Sequence, residues 1–144
     1  MTKYLLYLGL GSNLGHREQN IQKAIELIDE KVGKVLRQST LIATEPWGFR
    51  SEYQFLNGVI CCETTKTPRE VLQLTQQIER DMGREKKTGG IDKAHRQYAD
   101  RIIDIDILLY DDMVIDEPDL KVPHPLMQQR DFVMIPLNEI KETQ

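Results

Sequence analysis

The stretch IIDIDILLY, residues 102–110, gives the clearest indication of the fold. Along it, Ile103, Ile105 and Ile107 alternate with Asp104 and Asp106. Successive side chains of a β-strand point to opposite faces, so this alternation predicts a strand with one apolar face and one carboxylate face. The isoleucine face is expected to point into the core.

Three further segments, residues 4–10, 35–44 and 55–65, are typical of strands because they are apolar or rich in β-branched residues. The glycines of GLGSNLG (9–15) look like a phosphate-binding loop, but the Lys-Ser/Thr pair of a P-loop is missing. We expect these glycines instead to allow a tight turn from the first strand into a helix, with Asn13 tying the turn down.

Two amphipathic helices are predicted between the strands. The first has helical spacing of apolar residues and a glycine, Gly33, where a C-terminal cap is expected. The second begins at Thr67-Pro68-Arg69-Glu70, with Thr67 as N-cap and Glu70 closing a capping box, and ends near Gly83. The order βαββαβ, with both helices on one face of a mostly antiparallel sheet, predicts an α+β sandwich of the ferredoxin-like kind.

Composition bounds the class of protein. The 144 residues predict a single domain over 1–144, and 40% hydrophobic with 29% charged residues is ordinary for a globular protein. A net charge of −4 argues against a general nucleic-acid surface, and the apolar N-terminal run is too short to span a membrane. The adjacent Cys61 and Cys62 point to opposite faces of a strand, so we expect reduced thiols and a cytoplasmic protein.

The Asp104-Ile105-Asp106 triplet is the strongest chemical signal. Both carboxylates emerge from one strand face, where they repel each other unless a cation lies between them. A hard divalent cation such as Mg²⁺, shared with substrate phosphates, meets that need. The alternative is a solvated polar face on an edge strand.

A basic segment, residues 84–101, precedes this strand. Six of its eighteen residues are Lys or Arg and three are acidic. It is too long for an ordinary connection, so it is either a solvated loop or a lid that closes over substrates. Metal-binding carboxylates together with arginine and lysine are the equipment of phosphoryl transfer.

Several other residues are candidates for ligand binding, each with a structural alternative. Trp47, in a loop, either lines a pocket or caps the core. Phe55 and Asn57 share one strand face, where they either stack on and hydrogen-bond a flat heterocycle or pack in the core. His124, between two prolines, is either a phosphate ligand or a rigid turn residue.

Taken together, these motifs resemble those of the 6-hydroxymethyl-7,8-dihydropterin pyrophosphokinases of folate biosynthesis. The matching segments cover nearly the whole chain and are GLGSNLG (9–15), TEPWG (44–48), FLN (55–57), QQIERDMGR (76–84), YADRIIDIDILLY (98–110) and VPHPLMQQRDFV (122–133). The resemblance implies in-line attack of the pterin hydroxymethyl oxygen on the β-phosphorus of ATP, with release of AMP. It also implies Mg²⁺ as the metal, ATP and 6-hydroxymethyl-7,8-dihydropterin as partners, and a monomer, although oligomerisation is left open.

The resemblance further implies roles for particular side chains. Asp104 and Asp106 are the implied ligands of two Mg²⁺ ions and, with Arg84 and Arg101, the implied catalytic set. On the nucleotide side the implied residues are Gln76, Glu79, Arg84, Lys87, Arg101, Ile107, His124 and Arg130. Around the pterin, whose ring the two phenylalanines sandwich, they are Thr44, Pro46, Trp47, Phe55, Asn57 and Phe132.

Two other functions compete with this one. A non-catalytic ferredoxin-like module would use the Asp pair as a structural or regulatory cation site, but would not need arginines at both ends of a basic segment. A metal-dependent phosphohydrolase would not need an aromatic sandwich. The kinase hypothesis accounts for both features.

Overall fold

The computed structural model describes residues 2–44, 54–83 and 102–141. None of the helices in these ranges is long and apolar enough to cross a membrane. A short 3-10 turn, Met127–Gln129, leads into the last helix. In chain order the elements are β1 (Tyr4–Ser12), α1 (Arg17–Lys31), β2 (Lys34–Gln38), β3 (Ile42–Thr44), β4 (Phe55–Thr64), α2 (Pro68–Asp81), β5 (Asp104–Tyr110), β6 (Ile115–Glu117), β7 (Leu120–Val122) and α3 (Asp131–Ile140).

The predicted antiparallel sheet is confirmed. Its strands lie in the order β2-β4-β1-β5, and β3 pairs with the beginning of β4. β1 is central, with β4 on one side and β5 on the other, and every pairing in the sheet is antiparallel. The remaining strands, β6 and β7, form a separate hairpin. The α+β, ferredoxin-like class predicted from the sequence is therefore correct.

The two predicted helices pack on one face of this sheet. The apolar side chains of α1 lie in a single core with Val71 and Ile78 of α2 and with Ile103, Ile105 and Ile107. The capping box is present, because the Thr67 side chain accepts a hydrogen bond from the Glu70 N–H at 3.1 Å and the Glu70 carboxylate accepts one from the Thr67 N–H at 2.8 Å. The helical periodicity thus identified the core face correctly.

The segment predicted as one strand over 35–44 is two strands. Between them, the N–H of Ser39 donates to Val59 O at 2.9 Å, and the Ser39 hydroxyl accepts from the Val59 N–H at 2.9 Å. A side-chain oxygen here takes the place of a ladder carbonyl, so the chain changes course without leaving β4 unpaired.

Gly33 lies at the C-terminal end of α1, as predicted, and its N–H donates to Ile28 O at 3.1 Å, but the reason for a glycine here is not the expected one. The cap residue is Val32, and Gly33 does not adopt a left-handed conformation. A Cβ atom on Gly33 would lie 2.4 Å from the carbonyl oxygen of Glu63. The residue is glycine because the chain passes directly against the end of β4.

A third helix, α3, covers part of the other face of the sheet. Its residues Val133, Leu137 and Ile140 form a second core with side chains of the strands, among them Tyr7, Val59, Cys61 and Leu108. The C-terminal end of α3 is held at the sheet edge, since Arg37 Nε donates to Ile140 O at 2.9 Å and Glu139 accepts from the Thr40 N–H at 2.9 Å. No helix was predicted here, because Pro136 interrupts the apolar run of residues 132–140.

The adjacent cysteines confirm the two-faced character of β4. Neither forms a disulfide and both are fully buried, Cys62 in the core under α1 and α2 and Cys61 in the core under α3. Burial, with the neighbouring Cys61 and Asp29 as smaller causes, raises the pKa of Cys62 to about 12. Neither thiol is placed to form a disulfide with the other.

Candidate active site

The carboxylates of β5 lie where the alternation predicted. Asp104 and Asp106 are partly exposed on the sheet face opposite the isoleucines. In the sheet register Asp104 is opposite Gly11 and Asp106 is opposite Gly9. Because these neighbours have no side chains, the two carboxylates are flanked by bare backbone on the β1 side.

This register corrects the prediction for the opening glycines. Gly9 and Gly11 lie inside β1, and only Gly15, with φ of +69°, is in the strand-to-helix turn. Asn20 fastens that turn through a 2.9 Å hydrogen bond to Leu14 O. A Cβ atom on Gly11 would lie 2.8 Å from Asn57 Oδ1 and 3.4 Å from Phe55 Cδ1. Gly11 therefore lies on this sheet face between the Asp pair of β5 on one side and Phe55 and Asn57 of β4 on the other.

Asn57 and Phe55 share this face, as predicted. Asn57 is 7% exposed and donates from Nδ2 to Thr44 Oγ1 at 2.7 Å. That bond orients the amide, so its oxygen points over Gly11. Phe132, on α3, packs partly buried on the same side of the sheet. The structure thus brings together four of the six predicted pterin residues on one side.

A cleft of about 380 Å³ opens beside the Asp pair. One wall is α2, with Leu72, Gln76 and Glu79, and the opposite wall is the β6–β7 hairpin. Four predicted nucleotide residues line the cleft together with both carboxylates, namely Gln76, Glu79, Ile107 and His124. Sequence reasoning missed the hairpin wall of Pro118, Asp119, Leu120 and Lys121, because its strands are only three residues long.

Glu79 also has a structural role. Its side chain is 3% exposed, and Oε2 accepts a hydrogen bond of 2.7 Å from the backbone N–H of Ile105. Ile105 lies between the two aspartates, so this bond fixes α2 to the backbone that carries them. Glu79 therefore connects the wall of the cleft with the carboxylate strand.

His124 is held in one tautomer. Its Nδ1 accepts a hydrogen bond from the Leu126 N–H at 3.2 Å, which leaves the proton of the neutral ring on Nε2. Burial, and to a smaller extent the charge of Arg130, lower the pKa of His124 to about 4, while Asp104 opposes the change. At neutral pH the ring is an uncharged hydrogen-bond donor beside the cleft.

Arg130 joins the two halves of the site. It is 8% exposed, and its guanidinium carbon lies 5.5 Å from the centre of the Phe132 ring, a cation–π contact. The charge of the same residue acts on His124. Arg130 is thus placed between the predicted pterin side and the predicted nucleotide side, although it does not belong to the lining of the cleft described above.

Five predicted site residues lie outside the described residues, namely Pro46, Trp47, Arg84, Lys87 and Arg101. The basic segment 84–101 lies there as well. Their predicted roles stay predictions.

The donor set suits a hard cation that shares its coordination with a substrate. Asp104 and Asp106 offer carboxylate oxygens at the cleft. Within the described ranges, no group of three or more His, Cys, Asp or Glu side chains forms a complete protein cage. Mg²⁺ commonly takes one or two carboxylates and leaves its other positions to water and phosphate oxygens. The pair therefore fits Mg²⁺ better than a structural metal.

Comparison with known proteins identifies a single family. The sequence profile of the 7,8-dihydro-6-hydroxymethylpterin-pyrophosphokinase (HPPK) family matches residues 7–142. A Porphyromonas gingivalis protein named 2-amino-4-hydroxy-6-hydroxymethyldihydropteridine pyrophosphokinase is 44% identical over 138 residues, covering 94% of this chain and 90% of its own. Proteins of the same name from Aquifex aeolicus and Bacillus subtilis are 42% and 37% identical, covering 94% of this chain and 79% and 77% of theirs.

Solved structures show a similar fold. The Plasmodium falciparum HPPK-DHPS structure with pterin and p-hydroxybenzoate superposes with a TM-score of 0.72 over 96% of this chain, at 16% identity. Another, of the A437G form with SDX-DHP, gives a TM-score of 0.73 at 16% identity. This chain spans only 38% and 42% of those solved chains, and at such identity the likeness concerns the fold alone.

Proposed function

The chain belongs to the 7,8-dihydro-6-hydroxymethylpterin-pyrophosphokinase family, and from this membership we infer that it is the enzyme that transfers the pyrophosphoryl group of ATP to the hydroxymethyl group of 6-hydroxymethyl-7,8-dihydropterin. The product is the pterin diphosphate used in folate synthesis, and AMP is released. The structural observation that best supports this inference is the sheet register, in which Gly11 is paired with Asn57 on one side and Asp104 on the other.

The register supports the placement of the pterin. Neighbouring strands are 4.7–4.9 Å apart, so the backbones of β4 and β5 are separated by roughly 10 Å across Gly11. A bicyclic heterocycle with a one-carbon arm fits this interval. Its polar edge meets Asn57 and Thr44, its ring lies against Phe55 and Phe132, and its hydroxymethyl group reaches toward Asp104. Pro46 and Trp47 complete the proposed pocket.

The nucleotide is proposed to occupy the cleft between α2 and the β6–β7 hairpin. Gln76, Glu79 and Ile107 line it, and His124 offers its Nε2–H to a phosphate oxygen. Because His124 is neutral at physiological pH, it donates a hydrogen bond without adding charge. The cationic contacts of the triphosphate are assigned to Arg84, Lys87, Arg101 and Arg130.

Asp104 and Asp106 are the residues that would hold Mg²⁺, and two ions are proposed. When bound, the metal neutralises phosphate charge and lowers the pKa of a coordinated hydroxyl group. The contribution of the chain is to present two carboxylates on one rigid strand, held in place by the hydrogen bond from Ile105 to Glu79.

The transfer is an in-line displacement. The hydroxymethyl oxygen forms a bond to the β-phosphorus while the bond from that phosphorus to the α–β bridging oxygen breaks, and the electron pair leaves with AMP. The hydroxyl proton passes to solvent. We assign no protein base, since the carboxylates of Asp104 and Asp106 would hold the metal and Nδ1 of His124 already accepts the Leu126 N–H. Arg84 and Arg101 are proposed to balance the developing charge.

A turnover assay tests the proposal. The protein is mixed with Mg²⁺, ATP and 6-hydroxymethyl-7,8-dihydropterin, and AMP is quantified with and without the pterin. AMP formation that requires the pterin supports the kinase. ADP and phosphate formed without pterin would indicate a hydrolase, and binding of both ligands without any AMP would indicate the non-catalytic module. The single domain 1–144, the monomeric state and the cytoplasmic location stay predictions.

A further inference from the structure

The β6–β7 hairpin is held together by three paired positions and by one exposed ion pair, Lys121–Asp116 at 2.6 Å. Each strand is three residues long, and the pair forms no part of the main sheet. Two-stranded hairpins of this size are marginally stable in water at best. Leu120 and Val122 anchor one side of it in the core beneath α1 and α2. The turn between the strands, which forms the outer rim of the cleft, needs a separate attachment.

Arg69, in the first turn of α2, provides that attachment. Its two terminal nitrogens donate to both carboxylate oxygens of Asp119, at 2.8 and 2.7 Å, and Nη2 also pairs with Glu117. Glu117 ends β6 and Asp119 immediately precedes β7, so the guanidinium holds both ends of the turn. A bidentate arginine shared by two carboxylates is the geometry in which a surface ion pair is worth most.

The position of this ion cluster matters because it joins the two walls of the cleft. Leu72 and Gln76 follow Arg69 by three and seven residues on α2 and line one wall. Pro118, Asp119, Leu120 and Lys121 line the other. Arg69 itself is not among the lining residues, so it has no direct contact to offer a bound molecule there.

We propose that Arg69 is a positioning residue that sets the width of the nucleotide cleft by latching the β6–β7 turn to α2. The proposal rests on the proposed function in taking ATP as the occupant of this cleft. Loss of the latch leaves the hairpin free to move away from α2, so the nucleotide loses packing on one side. The pterin pocket, on the far side of the Asp pair, is not affected.

Two substitutions with opposite charge changes separate a latch from simple electrostatics. Arg69→Ala removes a positive charge, which by itself weakens ATP binding, whereas Glu117→Gln removes a negative charge, which by itself strengthens it. A latch predicts that both variants raise the KM for ATP and the Kd of a non-hydrolysable ATP analogue, with about a fivefold effect for Arg69→Ala. The values of kcat and of KM for the pterin stay at the wild-type level.

Lys3→Ala is the matched control, because it breaks another exposed ion pair, Lys3–Glu63 at 3.6 Å, with the same change in net charge as Arg69→Ala. Lys3 contributes nothing to the cleft lining, and ATP binding of this variant should match the wild type. If Lys3→Ala and Arg69→Ala weaken ATP binding equally, or if Glu117→Gln strengthens it, the latch is refuted.

Hydrogen exchange tests the latch without relying on turnover. In Arg69→Ala, amide exchange across 115–122 should accelerate, while exchange in β1 and β4 should not change. Unaltered exchange at 115–122 would overturn the proposal even if the enzyme is active. If the wild type makes no pterin-dependent AMP, the proposed function is rejected. Faster exchange at 115–122 in Arg69→Ala would still uphold the latch.

Discussion

The two faces of β5 differ in what they contribute. On one face Ile105 and Ile107, together with Ile103 just before the strand, are buried in a core shared with α1 and α2. On the other, Asp104 and Asp106 lie partly exposed beside a strand that has glycine at the facing positions. The apolar face stabilises the fold through burial, whereas two neighbouring carboxylates repel each other and contribute nothing comparable. Along this single strand, residues that stabilise the fold thus alternate with residues of the proposed metal site.

The largest effect is expected from Asp104→Asn. Asp104 is a proposed ligand of Mg²⁺, so loss of its carboxylate should lower pterin-dependent AMP formation by about a thousandfold. The midpoint of thermal unfolding in EDTA should not fall, because a like-charge repulsion is removed. Near-full activity in this variant, or a midpoint of thermal unfolding well below that of the wild type, would contradict the contrast between the two faces.

The reverse result is expected for Ile105→Ala, one residue along the strand. The side chain is 7% exposed, and truncating it leaves a cavity, which should lower the free energy of unfolding by about 3 kcal/mol. Urea unfolding measures this loss. Activity per folded molecule should be retained, since the backbone N–H that binds Glu79 is still present. A loss of activity without a loss of stability would contradict the division of roles.

A pair of glycine variants sharpens the comparison within the functional face. Gly11→Ala places a methyl group 2.8 Å from Asn57 Oδ1, so the amide must turn away, and we expect pterin affinity to fall about thirtyfold. Gly9→Ala makes the same change in the same strand, but its methyl group meets the flexible Leu108 side chain at 3.4 Å. Calorimetry should find normal ATP-analogue binding in both variants. Equal pterin binding by the two would show that Gly11 has no special part.

The smallest effect concerns pH and His124. Its folded pKa of about 4 lies below the ordinary value of 6.5, so between these values the unfolded chain binds a proton that the folded protein does not. Stability should therefore fall as the pH is lowered from 6.5 toward 4. Between pH 7 and pH 5 the wild type should lose about 2 kcal/mol more than His124→Gln in urea unfolding with EDTA. Parallel losses would mean that His124 is not buried as a neutral ring.

Much of the fold could be predicted because its signals are local. Alternation in IIDIDILLY, helical spacing before Val32 and the Thr67 capping box each identify an element and its buried face. The face shared by Asp104 and Asp106 followed from the two-residue period alone. Of the side chains given roles by the family resemblance, Phe55 and Asn57 share one strand face by the same period. Gln76, Glu79 and His124 lie on a helix and a loop, and only the three-dimensional structure brings them to the Asp pair.

The features that were missed depend on partners distant in sequence. Gly9 and Gly11 looked like turn residues because a strand glycine is recognised only when its cross-strand neighbours are known. The α3 helix was hidden by Pro136 within it, and the β6–β7 hairpin was too short to show a period. The ion pair between Arg69 and Asp119 joins residues fifty positions apart, and no local sequence pattern predicts it.

The adjacent cysteines of β4 place one buried thiol on each side of the sheet, and each thiol can report on the opening of its own layer. Cys62 lies under α1 and α2 and Cys61 under α3, and neither is exposed in the folded protein. A thiol reagent reaches each sulfur only when the layer above it separates from the sheet. The rates at which the two sulfurs are modified therefore record the opening of the two layers separately, in the natural sequence and without an added label.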